Sequence, residues 1–282
     1  MGLLAGSPMA DDLKASTGWM KLLRRRHGRS TIHIALVGAP GSGKSRMASA
    51  VATRLRESGL RVHVVKEAAT ALFEACGGFR GFRGGPDAAP DADTARLFQE
   101  TILRATVADE DAAFVMARVQ PADATVIISD AGAAAGQAYL CLPFTDEHVR
   151  PPAELPPDMR APDWDRICAA ANSSGADILR RYDAIIDLDT TALHPDEVVA
   201  AVYAFGPSAG NPHRYHDQRK ARQLASAITR VHAGHRQYVR VRCHRDFSSK
   251  IDEAEHAVRA FLVGGKLRKA RQCRLKAARP TR

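Results

Sequence analysis

Residues 32–45 read IHIALVGAPGSGKS, and the order of residue types in this stretch decides the fold class. The apolar, β-prone run at 32–37 predicts a short buried strand. Residues 44–58 carry apolar side chains at Met47, Val51 and Leu55, the spacing of one helix face. Between strand and helix, Gly38-Ala39-Pro40-Gly41-Ser42-Gly43-Lys44-Ser45 fills every position of the phosphate-loop pattern G-x-x-x-x-G-K-[ST]. Glycines let successive main-chain N–H groups turn onto a β-phosphate that side chains would obstruct. The helix that follows aims its positive end at the same oxygens. Lys44 is expected to bridge the β- and γ-phosphates, and Ser45 to give its hydroxyl to Mg²⁺. A nucleoside triphosphate is therefore the expected ligand. A guanine-reading N-K-x-D sequence does not occur, and the choice between ATP and GTP stays open.

Working outward, further strands are predicted at 62–65, 126–129, 184–188 and 238–241. Helices are predicted at 68–75, 94–117, 216–232 and 247–262. Strand–helix alternation of this kind gives an α/β fold, a three-layer P-loop NTPase with a mostly parallel sheet of about five strands and a lid segment. The Gly- and Pro-rich run at 76–93 reads as a loop, and the five prolines in 144–163 mark an irregular excursion. The expected organisation is a basic, disordered leader at 1–30, a P-loop NTPase domain at 31–265 and a basic tail at 266–282. Lid excursions are expected at about 144–176 and 190–215.

Two acids stand where open parallel sheets present their ligand crevice, at the C-terminal strand ends. Asp130 ends TVIIS and can hold the Mg²⁺ shell or orient a nucleophile; a turn or helix-cap aspartate is the plainer reading. Glu67 ends VHVVKE and can accept a proton from a substrate hydroxyl, or simply sit favourably at a helix N-terminus.

Composition limits the rest. Apolar residues make up 45% of 282, enough for a substantial core. No apolar run is long enough to span a bilayer. Five scattered cysteines form no C-x-x-C pair and suit a reducing, cytoplasmic setting, while WMKLLRRR at 19–26 leaves mitochondrial targeting open. The eight Lys/Arg of 266–282 give +8 and the leader gives +4, which leaves residues 31–265 at −2 of the total +10. Basic ends of this kind attract anionic lipid, nucleic acid or an acidic partner, or merely solvate the chain. The histidine pairs 213/216 and 232/235 have helical spacing but no third ligand, so no zinc site is read. Phe79 and Phe82, interleaved with arginines, can stack on bases or form a loop over the site.

The ordered series GAPGSGKS, VVKEAATALFEACGG, LFQETIL, ISDAGAAAGQAYL, RYDAIIDLDTTA, NPHRYHDQRKA and DFSSKI resembles one P-loop group. This is the AAA-domain family of the NadR nicotinamide-riboside kinase part and of animal regulators of TRP-like channel trafficking. The resemblance covers about residues 31–263. It implies that Glu67 is the family's second-strand glutamate, Asp130 the acid of its D-R-G motif, and Arg214 a lid arginine near the nucleotide phosphates. A guanidinium there would neutralise charge on a transferring phosphoryl group. The chain departs from the family at Ala131, where the D-R-G arginine is expected. It departs again at His216 (an acid), His232 (an aromatic) and Ala225 (an aspartate). Two readings follow: an Mg²⁺-dependent phosphotransferase or NTPase of nucleoside-kinase type, and a nucleotide-gated regulator whose basic termini meet acidic phospholipid or a protein partner. RNA binding by the tail is a third.

Overall fold

In the computed structural model, β1 (Ser30–Val37) is the central strand of a five-stranded sheet. The described residues are 30–75, 92–120, 124–141, 163–196 and 218–277, with the backbone alone beyond Leu262. The other strands are β2 (Arg61–Val65), β3 (Ala124–Asp130), β4 (Ala184–Leu188) and β5 (Tyr238–Val241), in the spatial order β2-β3-β1-β4-β5. Every pairing is parallel. Each connection must therefore cross over a face of the sheet, and the helices do so. They are α1 (Lys44–Glu57), α2 (Ala68–Ala75), α3 (Ala92–Val119), α4 (Ala135–Leu140), α5 (Trp164–Ala170), α6 (Gly175–Arg180), α7 (Gln218–His232) and α8 (Phe247–Ala277).

The side-chain alternation of β1 divides the core in two. Ile34 and Leu36 face one side, where Met47, Val51 and Leu55 of α1 meet Ala254 and Val258 of α8. Ala35 and Val37 face the other, where Leu103 of α3, Ile167 of α5, Ile178 of α6 and Ile228 of α7 gather. All five residues of β4 are buried, as a strand covered on both faces requires. Each fully buried Ile or Leu in these clusters contributes roughly 1.5–3 kcal/mol relative to exposure.

The expected strands and long helices are present, with ends shifted by a few residues. The larger differences are additions. α4 is a separate short helix after β3. Within the stretch expected as a lid, α5 packs against α3, with Trp164 and Ile167 buried. α8 continues past Leu262 into the basic run. The leader, the Phe79/Phe82 loop, the proline-rich excursion, and Arg214 with His213 and His216 lie outside the described residues. No helix among the described residues is long and apolar enough to cross a membrane.

Candidate functional site

The loop from Gly38 to Gly43 leaves β1 at the C-terminal edge of the sheet. Backbone and neighbours dictate its glycines. Gly38 has φ +149°, and a Cβ there would lie 2.5 Å from Leu188 O. Gly43 has φ +80°, and a Cβ would strike the Phe247 ring at 2.7 Å.

Three consecutive loop carbonyls are held from outside. Thr190 Oγ1 donates to Pro40 O at 2.6 Å, and Lys250 Nζ donates to Ser42 O at 2.8 Å. Gly41 O accepts from the Thr191 N–H and hydroxyl at 3.4 Å each. In a planar trans peptide the N–H points opposite to its C=O. The amides of Gly41 and Gly43 are thus directed away from these donors, while Ser42 N–H closes a turn onto Ala39 O at 3.1 Å. α1 then begins without a side-chain cap, so its first-turn N–H groups add to the same electropositive end. Lys44 Nζ donates to Gly38 O at 2.8 Å, which folds its side chain back along the loop.

The strand register brings the acids to this end. Leu36 pairs with Asp130 across β1 and β3, and Ala131 N–H donates to Leu36 O at 3.0 Å. Val65 pairs with Ser129, so Glu67 lies two residues beyond the neighbouring strand end. Ser45 donates a hydrogen bond to the Asp130 carboxylate. Burial raises the Asp130 carboxyl above the ordinary range; Lys44 and the Ser45 bond oppose this, and the charge of Glu67 adds to it. Asp130 Oδ1 is buried without a hydrogen-bond partner, as is Ser42 Oγ. A buried, unsatisfied carboxylate oxygen beside a hydroxyl is the donor set that a hard divalent cation takes, so Ser45 and Asp130 fit Mg²⁺. Glu67 is half-buried and accepts from Thr70 Oγ1 at 2.9 Å.

Ala131 occupies the left-handed region, with φ 64°. That conformation costs any L-residue roughly 1–2 kcal/mol, so an arginine would be no less strained there. What alanine removes is a guanidinium, and the bend in the chain remains. Ala225 and His232, the other described departures, are buried on α7.

Several supporting residues escaped the sequence reading. Thr190, Thr191 and Lys250 lie in the quoted runs RYDAIIDLDTTA and DFSSKI, but nothing in their spacing connects them to a loop some 150 and 208 residues earlier. A buried polar network props the exit of β3. Glu110 of α3 accepts from Ser129 Oγ at 2.9 Å, Tyr182 OH at 2.7 Å and Arg181 Nε at 2.7 Å. Tyr182 OH in turn accepts from Ala133 N–H at 2.6 Å. Beside the loop, Arg46 lies 4.5 Å over the Phe247 ring and, with His244 and Lys250, lines a pocket of about 110 Å³.

A family model described as an AAA domain matches residues 33–243, from β1 through the end of β5 and well over half of the chain. The chain belongs to the AAA-domain family. This family is of P-loop NTPase type, which accords with the five-stranded parallel sheet and the filled phosphate loop of this AAA domain. Among curated proteins, no match is found.

Proposed function

We propose that this AAA domain binds a purine nucleoside triphosphate, ATP or GTP, with Mg²⁺, and transfers or hydrolyses its terminal phosphoryl group in the manner of a nucleoside kinase. The observation that carries the reading is the buried, unpartnered Asp130 Oδ1 beside Ser45, at the mouth of a loop whose carbonyls are held outward. The loop amides and Lys44 take the β- and γ-phosphates. Ser45 and Asp130 hold the metal, which supplies charge neutralisation on those oxygens when bound. Glu67, across from Asp130, orients an acceptor hydroxyl or a water. Arg214, outside the described residues, is assigned by resemblance to the transferring phosphate. The Arg46–Phe247 pair offers a guanidinium and an aromatic face to a planar base.

The reaction is tested by incubating the chain with MgATP or MgGTP and a panel of nucleosides, then resolving the products. Phosphorylated acceptor, or nucleoside diphosphate alone, above a Lys44→Ala control is the expected result. No product above that control with any acceptor rules out turnover and leaves a binding domain.

A further inference from the structure

Lys250 sits in the first turn of α8 and is only 3% exposed, an uncommon place for an ammonium group. Its Nζ bridges two main-chain carbonyls, Ser42 O of the phosphate loop at 2.8 Å and Asp189 O beyond β4 at 2.6 Å. Two neutral carbonyls satisfy donors, but they do not repay the removal of a charge from water as an anion does. The charged and titratable groups facing it are Lys44 from the loop, Asp187 and Asp189 from the end of β4, and Cys243 from the exit of β5. Arg46 of α1 and His244 share its pocket. Asp187 and Asp189 are engaged elsewhere: Asp187 Oδ2 accepts from Thr229 and Tyr238, and Asp189 Oδ1 from Arg240. Burial, with repulsion from Lys44 among the lesser effects, brings the Lys250 ammonium down from 10.5 to about 8.

We propose that Lys250 is a positioning residue for the nucleotide, clamping the phosphate loop through the Ser42 carbonyl and serving as a second cation that a bound polyphosphate keeps charged. The inference rests on the nucleotide reading above. A polyanion in the loop offsets the repulsion between Lys44 and Lys250 and favours the ammonium, so a proton is taken from solvent as nucleotide binds near pH 8. Affinity then falls as pH rises through that region, because the empty protein releases the proton that the complex retains.

The test is calorimetry of MgATP and MgGTP binding to the full chain between pH 7 and 9, in buffers of differing ionisation enthalpy. The wild-type chain is expected to weaken about tenfold across this range, the linkage from a group titrating near 8 when free and well above 9 when bound. At pH 8 its binding heat should vary with the buffer as proton uptake requires. Lys250→Met is expected to bind about tenfold more weakly at pH 7, with no lysine-linked slope. Lys250→Arg, permanently charged, should keep most of the affinity and bind independently of pH over the same range. If Lys250→Met fails to fold by thermal melting, the Lys250→Arg profile decides alone. Wild-type binding with the same slope and proton uptake in Lys250→Arg would overturn the proposal, as would Lys250→Met binding like wild type. Absence of any wild-type binding would instead contradict the nucleotide reading.

Discussion

At the scale of single residues, the proposed site separates the groups assigned to phosphate from those that hold the loop in shape. Lys44 is of the first kind, and Lys44→Ala should reduce triphosphate affinity by about a hundredfold while leaving the melting temperature within a few degrees. Asp130→Asn keeps the shape of the side chain but removes the charge that suits a divalent cation. Titrations with and without Mg²⁺ should show the variant losing most of the metal-dependent gain in affinity. An unchanged gain would remove Asp130 from the metal site. Gly43→Ala acts on the frame, because its methyl group must displace Phe247 and adopt φ +80°. It should destabilise the domain by about 1–3 kcal/mol in denaturant melts and weaken nucleotide binding as well.

Elements carry the next set of consequences, since two helices, α3 and α7, bury polar side chains. Tyr182→Phe strips the acceptor from Ala133 N–H and a donor from Glu110, both in the buried prop behind Asp130. The expected cost is about 1–3 kcal/mol by urea denaturation. On α7, His232 is fully buried; its Nδ1–H donates to Ile228 O at 2.7 Å, and Nε2 has no partner. Burial lowers the imidazole from 6.5 to about 4, so between those values the unfolded chain binds the extra proton and folding stability falls as pH falls. His232→Phe removes that component. The stability difference between variant and wild type should grow toward acid by on the order of 2–3 kcal/mol from pH 7 to pH 4. A difference independent of pH would show that His232 is not the titrating group.

The elements also mark what could be read without a structure. α1 was legible because Met47, Val51 and Leu55 recur at the helical period, and β4 and β5 because short apolar runs stand between polar stretches. The helices α4 and α6 were not, because six residues do not complete two turns and α4 opens on Ala, Gly and Gln. The phosphate loop was legible because its ligand fixes residue types at adjacent positions. Its outer donors Thr190 and Lys250 were not, because the hydrogen bonds that matter join segments far apart in sequence. Nothing in the spacing of α3 singles out Glu110; its burial depends on His33, Ser129 and Tyr182 converging from β1, β3 and the approach to β4.

For the molecule as a whole, the phosphate loop lies where both halves of the core meet. Its helix α1 packs with α8 on one face of the sheet, and its outer donors Thr190 and Thr191 begin the turn that α7 anchors on the other, where Arg222 Nε donates to Ala192 O at 2.6 Å. A ligand in the loop therefore ties the two layers together. Saturation at a hundredfold excess over Kd should raise the melting temperature by about 5–10 °C for a domain of this size. The most direct test of the central claim is isothermal calorimetry of MgATP and MgGTP into the folded full-length chain, with Lys44→Ala beside it. Saturable binding of at least one triphosphate, lost in the variant, is the predicted result. A well-folded wild-type chain that gives no binding heat with either nucleotide at millimolar concentration, or a Lys44→Ala chain that binds equally well, would contradict the account.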